Sequence, residues 1–285
     1  MLIHRRASAA AGLALCLAAL TACGGDGGSG GSSAPSARAG PAQPPTAAGG
    51  GDATTGASNA RQDDDATPLR GKVVVIDPGH NGGNAKNPSK INKQVAIGNG
   101  HKECDTTGTS TNAGYAEHAF TWDVSNRLAK ILRAEGAKVV LTRPNDTGVG
   151  PCITERAAIG NRAEADAALS VHADGAPASG HGFHVIQPLS VKGQGGGMVP
   201  ASRRLGRAIR DAYRTGTGIP YSTYRGKDAL DSRDDLGGLN LSKVPKVFIE
   251  CGNMRNSGDA AKLSSAAFRQ RIAEALAKGI DDYLT

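Results

Sequence analysis

Downstream of residue 70 the spacing of apolar positions changes several times, and each change marks an element. "KVVVID" (72–77) is a continuous β-branched run that predicts a short buried strand. In "YAEHAFTWDVSNRLAKILRAEG", Phe120, Val124, Leu128 and Leu132 recur at helical spacing, and Gly136 predicts the stop. "AKVVLTR" (137–143) reads as a strand, "ITERAAIGNRAEA" (153–165) as a helix, and "DAALSVHAD" (166–174) as a strand ending in a His. "GFHVIQPL" (182–189) predicts a strand before the Gly-rich "KGQGGGM", and "ASRRLGRAIRDAYRTG" a helix after it. "KVPKVFIECGN" gives one more strand. The closing helix, "AAFRQRIAEALAKGIDDYL", puts Phe268, Ile272, Leu276 and Ile280 on one face. This alternation predicts an α/β fold: a single three-layer domain with a mostly parallel central sheet flanked by helices.

The upstream residues have no such pattern. Arg5 and Arg6, the apolar "ASAAAGLALCLAAL" and "LTAC" have the layout of an export signal, too short for a membrane span. "LTAC" resembles a bacterial lipobox, so residues 1–22 are read as a lipoprotein-type signal peptide, with Cys23 as the lipidated N-terminus. Residues 23–69 hold Gly, Ala, Ser, Pro and Asp with hardly a large apolar side chain, and read as a disordered tether. A coil of that length spans roughly 35–40 Å. Residues 70–285 are long enough for one domain with a sizeable core. These readings place the domain outside the cytoplasm, as a lipoprotein on the outer face of the membrane or secreted into the wall.

Charge and cysteine narrow the picture further. The chain carries +7, and the leader's two Arg are outweighed by the tether's five Asp against two Arg, so the domain keeps the whole excess. A basic surface suits an anionic partner. No nucleic-acid motif and few interleaved aromatics are present, so an acidic wall polymer is the expected partner and nucleic acid is not. Cys104 and Cys152 lie in loop-like sequence and are expected to form a disulfide, whereas Cys251 ends an apolar run and is expected to be buried.

The candidate chemistry sits at the strand ends. In open parallel sheets ligands bind beyond the carboxyl ends of the strands. His80 follows the first strand, His172 ends "AALSVH", Glu250 ends "KVFIE", and Glu117 opens the first long helix. Two His and a carboxylate match a catalytic zinc site with an open position, and a second carboxylate can carry the proton. Spacing alone does not say which Glu does which job. Asp77 competes as a ligand but equally suits a turn, and His101, His118, His181 and His184 read as peripheral.

Taken in order, "VVVIDPGHNGGN", "TTGTSTNAGYAEHAF", "LTRPND", "ERAAIGNRAEADAALSVHAD" and "GLNLSKVPKVFIECGNMRN" resemble the zinc-dependent N-acetylmuramoyl-L-alanine amidases of the Amidase_3 type. The similarity is greatest to the compact amidases of actinobacteria and covers essentially the whole domain. The resemblance implies one Zn2+ held by His80, Glu117 and His172, with Glu250 catalytic. It implies cleavage of the amide between N-acetylmuramic acid and the L-alanine of the peptidoglycan stem peptide. Arg143 in "LTRPND" matches a family position, structural or near the site, and Arg143 and Asn81 are expected to contact substrate. The protein is expected to act as a monomer on peptidoglycan or its fragments. A zinc exopeptidase on free peptides and a non-catalytic wall-binding lipoprotein are the alternative readings.

Overall fold

The structure is a computed structural model that describes residues 67–191 and 196–285. The expected signal peptide, Cys23 and most of the tether lie outside these residues. The domain begins earlier than expected, because Leu69 is fully buried in the core and its N–H donates to the Glu135 carbonyl. The folded domain therefore includes Thr67–Leu69.

Along the chain run β1 (Val73–Pro78), α1 (Pro88–Ile91), β2 (Gln94–Ala96), β3 (His101–Glu103), α2 (Glu117–Ala134) and β4 (Lys138–Leu141). Then come α3 (Ile153–Arg162), β5 (Ala167–Asp174), β6 (His184–Pro188), α4 (Val199–Thr217) and β7 (Leu230–Arg233). α5 (Gly237–Asn240), β8 (Lys246–Asn253), α6 (Ser257–Ser264) and α7 (Ala266–Leu284) complete it. One sheet has the order β4-β1-β5-β8-β6-β7, and β2 and β3 form a separate antiparallel hairpin. β4, β1, β5 and β8 run parallel, β6 runs against β8, and β7 follows β6 in parallel. The link from β5 to β6 is too short for a helical crossover, which is why β6 returns antiparallel. β2, β3, β7, α1, α5 and α6 were not expected from the sequence. Strands such as "HKE" and "LDSR" have no apolar alternation to reveal them.

Strand alternation sorts side chains onto two unlike faces. Val74 and Ile76 of β1, Leu169 and Val171 of β5, and Val247, Ile249 and Cys251 of β8 enter the main core with α2, α4 and α7. The other face, under α3 and α5, has a much smaller apolar cluster of Val75, Ala165, Ala168 and Val244. In register beyond that cluster stand Asp77 beside Ser170, Ser170 beside Phe248, and His172 beside Glu250.

On this second face four buried charges are joined. Asp77 Oδ1 accepts from Arg156 Nη1 at 2.9 Å and from the Thr142 hydroxyl at 2.7 Å. Its Oδ2 accepts from Lys246 Nζ at 2.9 Å and the Ser170 hydroxyl at 3.0 Å. Arg156 also reaches Asp105 Oδ2 at 3.1 Å. Asp77 is thus a strut and not a metal ligand, since both its oxygens are spent on these donors. Burial by itself would push its carboxyl up in pKa, but Lys246 and Arg156 reverse this and hold it well below the carboxylate range. With the folded-state value below the unfolded one, this stabilisation is full above about pH 4 and is lost as pH falls further. Asp77→Asn keeps the shape but leaves two buried cations short of a charge. It should cost about 3–5 kcal/mol at neutral pH, read from chemical denaturation. The gap between variant and parent should shrink as pH drops below about 4.

Candidate metal centre

His80 stands two residues beyond β1 in the left-handed region, with φ 58°. Its Nε2 lies 3.2 Å from Glu117 Oε1. Its Nδ1 turns the other way, toward the Thr106 carbonyl at 3.1 Å and Asp105 Oδ1 at 3.4 Å. His172, near the end of β5, places Nδ1 3.0 Å from the same Glu117 oxygen. Glu117 is the first residue of α2, and the Thr109 N–H fixes its Oε2 at 2.9 Å. One donor atom from each of the three side chains lies within 4.8 Å of the other two.

The packing leaves this trio little freedom. The His172 ring stacks on Phe248 with centroids 5.3 Å apart and meets the His80 ring edge-on at 5.0 Å. A Cβ on Gly79 would sit 2.2 Å from His172 Cε1. Gly108, at φ +73°, brings the 106–109 loop so close that a Cβ there would lie 2.7 Å from both Glu117 Oε2 and His80 Cδ2. The field at the trio favours a cation. Burial opposes a proton on His80, yet Glu117 and Asp105 overcome it and raise its pKa to about 10. Burial likewise raises the Glu117 carboxyl, but the two imidazoles outweigh it and hold it well below its ordinary range. Two imidazoles and one carboxylate with converging donor atoms fit zinc.

Glu250 stands beside His172 on β8 and across from His184 on β6. It is half-buried, with Oε2 fully enclosed and without a hydrogen-bond partner among the described residues. Burial first, then the charges of Glu117 and Asp174, push its carboxyl well above the usual range. A cavity of about 220 Å³ adjoins the trio, lined by His172, Phe248, Ile153 and Leu236 among others. A more open groove of about 310 Å³ runs past His80 and Glu117 to Asp174, Arg233 and Glu250.

Several expected positions fall elsewhere. Arg143 is fully buried and gives its donors to the carbonyls of Pro78, Asn145 and His118, to Asp146 and to the Thr121 hydroxyl. Asn81 is 3% exposed and packs beside Gly150. As placed, both are buried and neither lines the cavity or the groove beside the trio. His184 is not peripheral: it is buried opposite Glu250, and burial draws its pKa down to about 4. Cys104 and Cys152 are joined in a disulfide, and Cys251 is buried and free. Sequence reading missed Asp105, Arg156 and Phe248. Arg156 left one signal, since it sits with Ala157 and Gly160 on the buried stripe of α3, where a charge needs a partner.

A mostly parallel α/β sheet with two imidazoles and a carboxylate at its carboxyl edge carries a donor set that fits a metal ion. Residues 74–282 match the sequence profile of the N-acetylmuramoyl-L-alanine amidases, Amidase_3. The chain is 45% identical over 225 residues to the N-acetylmuramoyl-L-alanine amidase Rv3717 of Mycobacterium tuberculosis, covering 77% of this chain and 90% of that protein. Two crystal structures of the amidase Ami1 are similar to it. That from Mycobacterium smegmatis superposes with TM-score 0.71 at 40% identity, covering 76% of this chain and 98% of that one. The apo form from Mycobacterium abscessus gives TM-score 0.70 at 42% identity, covering 76% and 100%. The chain belongs to the N-acetylmuramoyl-L-alanine amidase family and is a peptidoglycan amidase. Gly79→Ala should displace the His172 ring and lower amidase turnover at least tenfold, with far-ultraviolet circular dichroism unchanged; parental turnover would contradict this packing.

Proposed function

We propose that the protein hydrolyses the amide between the lactyl group of N-acetylmuramic acid and L-alanine, with one zinc ion held by His80, Glu117 and His172. The observation that carries the reading is the convergence of these donors within 4.8 Å on the sheet edge where Glu250 also emerges. When bound, zinc supplies a Lewis acid that makes water nucleophilic near neutral pH and polarises the scissile carbonyl. The protein's own groups do the rest. Thr106 and Asp105 orient the His80 ring, Thr109 and Ala173 N–H groups orient Glu117, and Phe248 supports His172. Glu250 takes the proton from the attacking water and delivers it to the leaving L-alanine nitrogen. Its enclosed, unpartnered Oε2 and upward-shifted pKa suit a carboxyl that must gain and lose a proton in one cycle.

A cell-wall substrate places the work in the envelope. The reading includes a monomeric domain, together with export, a lipid anchor at Cys23 and the tether, these three supported by the "LTAC" motif and the composition of residues 23–69. The test is to incubate purified protein with muropeptides and follow products by mass spectrometry. Stem peptides with a free N-terminal L-alanine are expected; trimmed peptides only, or no cleavage, would overturn the assignment. Glu250→Gln should retain zinc while turnover falls by about 10²–10⁴. His80→Ala should lose the metal, read by elemental analysis. Loss of zinc from Glu250→Gln would reverse the assigned roles.

A further inference from the structure

We propose that Asp105 is a positioning residue for the metal centre and acts on the metal through His80; this rests on the reading of His80, Glu117 and His172 as the ligands. The left-handed backbone of His80 is uncommon for a residue with a side chain, so outside partners must hold its ring. Beyond the two other members of the trio, those partners lie on its Nδ1 side: the Thr106 carbonyl at 3.1 Å, the Thr106 hydroxyl at 3.2 Å and Asp105 Oδ1 at 3.4 Å. A proton committed to Nδ1 leaves the Nε2 lone pair facing Glu117, and a carboxylate behind the ring makes that lone pair more basic.

Asp105 is itself held from several sides. Its Oδ2 accepts from Arg156 Nη2 at 3.1 Å, its Oδ1 from the Thr106 N–H at 2.8 Å, and its own N–H donates to the Ile91 carbonyl at 3.1 Å. Its neighbour Cys104 is bonded to Cys152, which caps α3 one turn ahead of Arg156. The Ile153 N–H also donates to the Cys104 carbonyl at 2.8 Å. The disulfide therefore joins the chain segment bearing the carboxylate to the helix bearing its guanidinium partner. Through Arg156 the line continues to Asp77 and Lys246, so charges alternate from the sheet interior to the back of His80. No part of this line other than His80 touches the proposed metal. Its role is to fix where the ring points.

The test measures zinc affinity by chelator competition at fixed pH, with thermal unfolding and circular dichroism of the metal-free proteins alongside. Asp105→Asn should weaken zinc binding about 10–100-fold while the metal-free protein keeps the parental fold. Asp105→Glu keeps the charge and should regain most of that affinity. Cys104→Ala/Cys152→Ala should also weaken binding in the parent background. If the disulfide works through Asp105, it should add nothing in the Asp105→Asn background, because the two changes then share one path. Affinity of a folded Asp105→Asn protein within twofold of the parent, or no recovery in a folded Asp105→Glu protein, would overturn the inference while leaving the metal centre intact. Full additivity of the cysteine and asparagine changes would overturn the path through the disulfide. If the parent binds no zinc, the ligand assignment fails first and this inference falls with it.

Discussion

The Asp77 carboxylate is the point on which the second face of the sheet is built. It is buried and binds Arg156 from α3 and Lys246 from β8, with hydroxyls from β5 and the residue after β4 completing its shell. Buried charges are tolerable only when paired with good geometry, and removing one partner leaves the others exposed to the full desolvation cost. This makes the group selective as well as cohesive. A slip of one residue in β8 would turn Lys246 into the apolar layer beneath α4 and α7 and face Val247 toward Asp77. Only the observed register satisfies every charge, and it is the register that sets His172 beside Glu250.

From that constraint the site follows by alternation. Along β5 the second face reads Ala168, Ser170, His172, and along β8 it reads Lys246, Phe248, Glu250. Each strand thus passes from packing or bracing residues to a chemical group over three positions on one side. The opposite side stays apolar through Ala173 on β5 and Cys251 on β8 and anchors both strands in the core. His80 and Glu117 depart from this scheme: His80 is reached after the Pro-Gly turn and held by the loop that follows the β2–β3 hairpin, and Glu117 opens α2.

Much of this could be read from the chain in advance. The long helices and buried strands announce themselves through spacing, and the two His and two Glu stand where strands end or a helix begins. Spacing left the roles of Glu117 and Glu250 open, and the resemblance to a hydrolase family supplied the expectation of which is ligand and which is catalytic. The polar hairpin and edge strand carried no such pattern, because little of their surface is buried. The burial of Arg143 and Asn81 could not be read from the chain for a related reason. A polar residue near a site has the same appearance in sequence whether it faces the substrate or braces the backbone from behind.

The amino-acid sequence by itself determined the alternation of strands and helices, the apolar face of each strand and the inventory of ligating side chains, because these depend on local periodicity and residue chemistry. Tertiary structure decided which nitrogen of each His faces Glu117, that Asp77 braces the sheet, and that Asp105 stands behind His80. It also decided that the return of β6 brings His184 opposite Glu250. These relations join residues far apart in the chain through distances of a few ångströms. Only the register of the sheet and the docking of α3 against it set those distances.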